Sequence, residues 1–261
     1  MRIAVVGGTG TAGRQVVREA LGRGHEVVVV SRRPPREGTE IQEATQARAD
    51  LFTGEGLDVA LEGAEVVVDV TNSPSPRGRA AARYFATAGE RLGAAAARVR
   101  VGHRVVLSIV GINLVSIGYY RAKLLQESVV LASPVPATVL RSTQFHEFPS
   151  QILPLVRRGR LAVVPRMLTQ TVSSGEVATA LIDAVEAGPA GRVTDMGGPE
   201  AAQLADLVRR VLVARGQQVL ILEVPWPGAA GEAMAAGGLL LPGEGRRGRI
   251  TFEEWLSTQV R

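Results

Sequence analysis

The chain of 261 residues is 46% hydrophobic, contains no cysteine and carries a net charge of +5. This length is enough for one large α/β domain and a small appended lobe, and the absence of cysteine excludes disulfides, thiol nucleophiles and cysteine metal sites. The arginines are dispersed, no apolar run reaches the roughly 20 residues that cross a bilayer, and no signal or transit peptide precedes the first predicted strand, so we expect a cytoplasmic protein, a monomer or homodimer, with neither nucleic acid nor membrane as a partner.

The chain begins with a predicted strand at 2–6, a glycine-rich turn and a helix at about 11–23. In the turn, Gly7 permits torsion angles that a Cβ would oppose, Gly10 allows a ligand close to the backbone, and Gly13 lets the helix pack near the strand. The N–H groups and the positive end of that helix suit a pyrophosphate. The cofactor contacts that we predict in this segment are Gly7, Thr9, Gly10, Thr11 and Gly13.

A valine-rich run at 26–31 predicts a second strand that is buried on both faces. In a dinucleotide-binding fold, the residue after this strand meets the adenosine ribose, and an acidic side chain there selects NAD. Arg32 and Arg33 stand here instead. Two guanidinium groups favour a 2′-phosphate, so we predict NADP(H) in preference to NAD(H), with a solvated loop as the alternative.

A short third strand is predicted near 44–48, and Asp50 and Leu51 follow it. Asp50 is a candidate contact for the adenine amino group, and Leu51 is a candidate contact for the adenine ring. A helix cap or a solvated loop is an equally good interpretation of Asp50. The next predicted helix covers about 55–62.

The run at 65–70 predicts a fourth strand, and it ends in Thr71 and Asn72. Ligands of α/β sheets bind at the carboxyl ends of the strands. We therefore predict that Thr71 and Asn72 contact the cofactor, with a simple turn as the alternative.

A long helix at about 78–99 leads to a fifth strand at 104–109. Ser108 ends this strand, and its hydroxyl is a candidate to bond a substrate carbonyl and stabilise the developing oxyanion. A serine bonded to backbone is the alternative, and Ser116 is a rival candidate.

The predicted helix at 118–132 contains Tyr119 and Lys123, which lie four residues apart and therefore share a helix face. Of the 30 basic residues, 29 are arginine and only Lys123 is lysine. An ammonium group near a phenol lowers the tyrosine pKa, which would make Tyr119 a general acid near neutral pH. We predict that Tyr119, Lys123 and Ser108 are catalytic and that Lys123 also holds the nicotinamide ribose, with Tyr120 beside the substrate.

A sixth strand is predicted at 137–141, and an aromatic segment follows it. Phe145 and His146 lie where a substrate pocket would cap the nicotinamide, although Phe145 would equally suit a core position. The three histidines do not have metal-ligand spacing, so we expect no metal.

The pattern is looser after about residue 142. Helices are predicted at 144–157, 174–187 and 201–215, and strands at 161–164, 192–196 and 218–223. Residues 225–249 read as a loop or flap with an apolar stretch, and Thr251 caps a terminal helix at 251–260. The alternation predicts a Rossmann, doubly wound parallel sheet with helices on both faces, divided into a nucleotide-binding domain at 1–150 and a smaller substrate lobe at 151–261 interleaved with the same core.

These motifs together resemble the atypical short-chain dehydrogenase/reductase group, and within it the NmrA-like NAD(P)H-binding family. The resemblance covers roughly the first 150 residues. Its carriers are Val6–Gly13, Ser31-Arg32-Arg33-Pro34, Asp50-Leu51, Leu107–Gly111, Tyr119-Tyr120-Arg121-Ala122-Lys123 and Leu140–Phe145. The resemblance implies a nucleotide along Gly7–Gly13, Arg32 and Asn72, with Lys123 at the nicotinamide ribose.

The motifs and the resemblance leave three alternative functions. The first is an NADPH-dependent reductase for a carbonyl, quinone or conjugated alkene of a lipophilic or aromatic small molecule. The second is a regulator that senses NADP(H) without catalysis. The third is an enzyme of secondary metabolism that performs a cyclisation, elimination or isomerisation on the same scaffold.

Overall fold

A computed structural model describes residues 1–33, 41 and 43–259. Its strands are β1 (Arg2–Val6), β2 (Glu26–Ser31), β3 (Thr45–Arg48), β4 (Val66–Asp69), β5 (His103–Ile109), β6 (Ala137–Ser142), β7 (Arg157–Arg158), β8 (Leu161–Pro165), β9 (Leu168–Thr169), β10 (Gly191–Arg192), β11 (Met196–Gly197), β12 (Ala202–Gln203), β13 (Leu220–Val224) and β14 (Arg246–Arg247). Its helices are α1 (Thr11–Gly22), α2 (Leu57–Leu61), α3 (Gly78–Arg98), α4 (Gly118–Leu131), α5 (Phe148–Val156), α6 (Ser174–Ala187), α7 (Leu204–Ala214), α8 (Gly228–Ala235) and α9 (Phe252–Thr258). The elements predicted before residue 142 are confirmed to within two residues at each end.

The chain divides into two compact units, of which the first comprises residues 1–108, 118–141 and 174–193. Its strands are parallel and follow the order β3-β2-β1-β4-β5-β6, with β10 beside β6. The chain builds one half of this sheet from β1 to β3 and then crosses to β4, on the other side of β1. This is the predicted doubly wound parallel sheet, and its point of reversal lies between β1 and β4.

Alternating residues of the valine-rich strands are buried on opposite faces of this sheet. Val6 and Val30 belong to a core cluster that includes apolar residues of α2 and α3. On the opposite face, a Cβ added to Gly8 would contact both Val29 and Val17 of α1. Helix α1 packs with α6, and α3 packs with α4. Both faces are therefore covered, which explains why these strands are continuous apolar runs.

The second unit comprises residues 109–117, 142–173 and 194–261. It contains a three-stranded sheet in the order β13-β8-β7 and the short pairs β9–β12 and β11–β14. Helix α9 begins after Thr251, whose hydroxyl accepts from the Glu254 N–H while the Glu254 carboxylate accepts from the Thr251 N–H. This capping box confirms the predicted start of the terminal helix.

Residues 225–249 are a packed part of the second unit, so the prediction of a loop or flap was wrong. They contain α8 and β14, and Met234, Leu239 and Leu241 are buried. A Cβ added to Gly111 would lie 1.9 Å from the Gly238 carbonyl oxygen, so the two backbones touch. The apolar stretch is buried in protein and does not line an open surface.

Candidate functional site

The glycine-rich turn adopts the backbone that the sequence predicts. Gly7 has a φ of +82°, and a Cβ on Gly13 would lie 2.1 Å from the Gly7 carbonyl oxygen. Helix α1 therefore approaches β1 as closely as the absence of a side chain permits. Gly10 is the exposed N-cap and offers no side-chain cap to the first helical turn. The N-cap side chain therefore competes for none of the N–H groups at this end of the helix, where the helix dipole favours an anionic ligand.

Thr71 and Asn72 connect this turn to the end of β4. A Cβ on Gly7 would lie 3.1 Å from the Thr71 Cγ2 atom. The Thr71 hydroxyl and N–H both donate to Asp69 Oδ1, at 2.6 and 2.9 Å. The next residue, Asn72, accepts a hydrogen bond from the Tyr119 hydroxyl at 2.5 Å. A continuous series of contacts therefore joins the glycine turn to the predicted catalytic tyrosine.

Lys123 is buried, with 4% of its surface exposed. Its Nζ donates to the Leu107 carbonyl oxygen at 2.8 Å and to Gln126 Oε1 at 2.6 Å. Burial lowers the pKa of Lys123 to about 8, although the charges of Asp69 and Glu127 act in the opposite direction. An amine of this kind changes protonation near physiological pH, which is a property of many functional lysines.

Asp69 and Gln126 extend the network around Lys123. Gln126 Nε2 donates to Asp69 Oδ2 at 3.1 Å, and both residues are at least nine-tenths buried. The order Asp69–Gln126–Lys123 thus forms a fixed polar chain in the first unit. Neither Asp69 nor Gln126 was predicted from the sequence. The available signals were an acid that ends a run of valines and a glutamine three residues after the only lysine.

Tyr119 and Lys123 contact the same aromatic ring. Tyr119 packs edge to face on Phe85, with ring centroids 6.1 Å apart, and Lys123 Nζ lies 5.0 Å from the Phe85 centroid. Burial raises the pKa of Tyr119 to about 12, and the bond with Asn72 offsets this only in part. The pKa of Tyr119 is therefore raised, whereas the spacing of Tyr119 and Lys123 had predicted a lowered one. Tyr120 is buried and packs edge to face on Tyr119.

Ser108 is buried at the end of β5, close to Glu127 of α4. Burial alone would raise the pKa of Glu127, but hydrogen bonds from Arg141 and Arg192 and the nearby Ser108 hydroxyl hold it below its usual value. The Ser108 hydroxyl itself has no hydrogen-bond partner among the described residues. The Arg141 guanidinium contacts this carboxylate at 2.8 and 2.7 Å. Glu127 of α4 therefore forms an ion cluster with Arg141 of β6 and Arg192 of β10 beside Ser108.

Arg32 and Asp50 both influence the hydroxyl of Tyr84. Burial raises the pKa of Tyr84 to about 12; the charges of Asp69 and Asp50 also raise it, and Arg32 and a hydrogen bond with Thr71 lower it. The charges of Arg32 and Asp50, the predicted contacts of the adenosine half, therefore both act on the Tyr84 hydroxyl. Tyr84 was not predicted from the sequence as a residue of this region.

The remaining predicted contacts of the adenosine half have local partners. Asp50 Oδ1 accepts from the N–H groups of Phe52 and Thr53, at 2.7 and 3.2 Å, which fixes the loop after β3. Leu51 is buried in the apolar core. Arg33 is exposed, and its carbonyl oxygen accepts from the Ser31 hydroxyl. Pro34, which completes the motif after β2, lies outside the described residues.

His146 is fully buried in the second unit. Its Nε2 donates to the Ile250 carbonyl oxygen at 3.0 Å, and its Nδ1 lies 2.8 Å from the Thr171 hydroxyl. The rings of Phe252 and Trp255 lie 5.7 Å away, centroid to centroid. Burial lowers the pKa of His146, although the bond with Ile250 acts in the opposite direction. His146 therefore has a packed environment in which both ring nitrogens are bonded.

Phe145 is half-buried and forms a parallel bridge with Val172. Across the part of the chain that the structure describes, no three acidic or histidine side chains form a cluster that could hold a metal ion. None of the described helices is long and apolar enough to cross a membrane.

Comparison with known families identifies the domain. A family model described as NAD(P)H-binding matches residues 7–187. A segment of 75 residues is 41% identical to the photosystem II assembly factor Ycf39 of Synechocystis and covers 28% of this chain. The matched segment spans only 23% of the length of that assembly factor.

Solved structures share the fold over the full chain. The NADPH-dependent quinone oxidoreductase QOR2 of Escherichia coli, complexed with NADPH, has a TM-score of 0.75 at 19% identity, and the match covers 99% of this chain and 100% of that one. MoeE5 in complex with UDP-glucuronic acid and NAD also has a TM-score of 0.75, at 18% identity, with coverage of 100% and 98%. At these identities, the likeness concerns the fold.

Proposed function

Because the chain belongs to the NAD(P)H-binding family, we propose that it is an NADPH-dependent oxidoreductase that reduces a carbonyl, quinone or conjugated alkene. One observation carries this proposal. The contacts run from Gly7 through Thr71 and Asn72 to Tyr119, and Lys123 shares the Phe85 ring with Tyr119. These contacts support a dinucleotide site beside a proposed acid/base pair in the first unit.

The residues of this site fit a phosphorylated dinucleotide. The N-terminal end of α1 after Gly10 would hold the pyrophosphate, because the helix dipole favours an anion there and the N-cap glycine leaves room for it. The exposed Arg32 would hold a 2′-phosphate, and Asn72 and Lys123 would hold the nicotinamide ribose. When bound, the nicotinamide supplies the hydride.

The chain supplies the proton and the positioning. Because its pKa is about 12, Tyr119 is a neutral phenol at physiological pH and has a proton to donate. Lys123 uses two of its donors on Leu107 and Gln126, so a protonated amine would keep a third for a ribose hydroxyl. Ser108 remains the proposed partner of the substrate oxygen.

Two adjacent tyrosines provide a matched test. NADPH oxidation should be followed by absorbance with a panel of quinones, aldehydes and enones. Tyr119→Phe should lower kcat by about 100-fold or more, because it removes the proton donor. Tyr120→Phe removes a hydroxyl of the same kind and should retain kcat within a few-fold. If Tyr120→Phe is the inactive variant, the assignment of the donor is wrong.

The cofactor preference has its own test. Arg32→Ala should weaken NADPH binding by about tenfold to a hundredfold and leave NADH binding unchanged, because a charge-assisted bond to the 2′-phosphate is lost. Arg18→Ala, on the exposed side of α1, is the control for the loss of one positive charge. Equal losses for both cofactors would contradict the proposed role of Arg32.

A protein that binds NADP(H) without turnover is the second candidate. Two observations favour it: the Tyr119 hydroxyl is already bonded to Asn72, and the local sequence likeness is to an assembly factor. Quenching of NADPH fluorescence without oxidation of any substrate in the panel would support this candidate. Product formation without net change in NADPH would instead support non-redox chemistry.

A further inference from the structure

The three-stranded sheet of the second unit presents an apolar face to solvent. Strands β8 and β13 are parallel, with Leu161 opposite Leu220 and Val163 opposite Leu222. Paired residues of adjacent strands point to the same side of a sheet. All four side chains are exposed, with exposed fractions from 36% to 70%. We call these four residues the apolar face.

The face is bordered by arginine and tryptophan. Arg158 pairs with Leu161 across β7 and β8, so it points to the same side, and Arg160 lies exposed in the turn between these strands. The segment 157–166 contains four arginines and no acidic residue. Trp226 follows β13, and 49% of its surface is exposed.

The acidic residue of β13 belongs to the opposite side of the sheet. Glu223 is opposite the buried Val164, and its carboxylate forms an ion pair with Arg166 at 3.0 Å. The exposed side of β13 is therefore apolar, and the adjacent charges on that side are positive. A contiguous apolar patch with a polar rim marks an interaction site on a soluble protein.

We propose that the apolar face and its arginines dock on the surface of a bilayer that carries anionic lipids. Aliphatic side chains that enter the headgroup region, with arginine and tryptophan at its boundary, are the combination that binds a lipid interface. The charge favours an anionic partner over a second copy of the chain, because two copies packed face to face would bring like charges together.

A contact of this type requires no spanning helix, so it is compatible with the helices of the described chain. It departs from the sequence expectation of no membrane partner, which rested on the length of apolar runs. The inference is independent of the proposed reductase activity, because none of the predicted site residues belongs to the apolar face.

Vesicle co-sedimentation of the full chain tests this inference. Vesicles of phosphatidylcholine mixed with phosphatidylglycerol should bind the protein, and vesicles of phosphatidylcholine alone should bind it at least about tenfold more weakly. Added salt should weaken the binding, because it screens the arginines. Trp226 should show a blue shift in fluorescence with the mixed vesicles, and Trp226→Phe should abolish it while Trp255 remains.

Matched variants separate the two components of the face. Leu220→Ser combined with Leu222→Ser should weaken binding by more than about tenfold, because it removes apolar area. Arg158→Glu should weaken it by a similar factor through charge. Val59→Ser, at a position that is 80% exposed in the first unit, and Arg18→Glu are controls that should bind like the unmodified chain.

Three outcomes of the vesicle experiments would overturn the inference. They are equal binding to neutral and anionic vesicles, absence of binding to both, and equal losses in the face and control variants. A concentration-dependent dimer in sedimentation velocity that the two leucine substitutions dissociate would assign the face to a second copy. Binding of an acidic peptide in preference to the mixed vesicles would assign it to a protein partner. Circular dichroism should establish that each variant is folded.

Discussion

Each of the two units buries a basic side chain, but the two side chains differ in how many of their hydrogen-bonding groups are occupied. Lys123 in the first unit contacts two oxygens and lies over the Phe85 ring, and its pKa is lowered to about 8. In the second unit, both ring nitrogens of His146 are bonded, and aromatic rings surround it. A buried base with bonding capacity left suits a ligand, whereas a fully bonded one contributes to the core.

Substitution of Lys123 should have the largest effect. Lys123→Met keeps the length of the side chain and removes its charge, so turnover should fall by about 100-fold or more. His146→Gln should retain turnover within a few-fold, because the contacts of His146 are structural. Steady-state kinetics with NADPH measures both. A fully active Lys123→Met variant would contradict the proposed role of Lys123 in turnover.

Alkaline pH should stabilise the protein through Lys123. The folded-state pKa of about 8 lies below the ordinary value of 10.5, so between these pH values the unfolded chain binds a proton that the folded chain does not. The free energy of unfolding should therefore rise by about 2 kcal/mol from pH 8 to pH 10. Urea denaturation at several pH values measures this rise.

Lys123→Met is the control for this rise, because it has no amine to titrate and should lack the increase. Measurements should stop near pH 10. Tyr84 and Tyr119 have pKa values raised to about 12, so above pH 10 they destabilise the folded state. A rise of equal size in the variant would contradict the assignment to Lys123.

Acidification should destabilise the folded protein through His146. Its folded-state pKa is lowered below 6.5 by burial, so the stability that it contributes is complete above pH 6.5 and is lost as the pH falls toward the folded-state pKa. At pH 7, His146→Gln should lower the free energy of unfolding by about 2 kcal/mol, because buried hydrogen bonds are lost.

The same variant should lose less stability than the unmodified chain between pH 6.5 and pH 5. Part of the acid dependence should persist, because burial also lowers the pKa of His103. Thermal melts in buffers of constant ionic strength measure the difference. An unchanged acid dependence would mean that His146 is not the titrating group.

The smallest effect concerns the cap of the helix that covers His146. Thr251→Ala removes the capping box and should cost about 1 kcal/mol of stability, with turnover unchanged. Ser257→Ala is the control and should cost less stability. Ser257 lies in the last turn of α9, where its hydroxyl donates to the Glu254 carbonyl oxygen. Chemical denaturation resolves a difference of this size.

Most of the first unit could be predicted because its signals are local. Valine runs predict strands that are buried on both faces. The predicted strand at 44–48, which lies in sequence between two such runs, is also confirmed. The glycine conformations followed from the strand, turn and helix order. Residues 225–249 could not be predicted in this way, because their position depends on a backbone contact between Gly111 and Gly238, which are far apart in sequence.

In the candidate site too, residues close in sequence could be predicted and residues brought together by packing could not. Tyr119 and Lys123 are visible as a pair because they are one helical turn apart. Asp69 and Gln126 come from β4 and α4, and their hydrogen bond exists only after the sheet and helix pack. The direction of the Tyr119 pKa also depends on packing, because burial raises it whatever charge lies along the helix.

The single lysine makes this protein selective in bioconjugation. Lys123 carries the only side-chain amine in the 261 residues, and it is buried in the first unit. An N-hydroxysuccinimide ester can acylate this side chain only when the surrounding structure opens, so the rate of acylation measures that opening. The same reaction performed with and without NADPH, with acylation of Lys123 distinguished from that of the Met1 α-amino group by peptide mass spectrometry, would footprint one chosen atom without any engineered label.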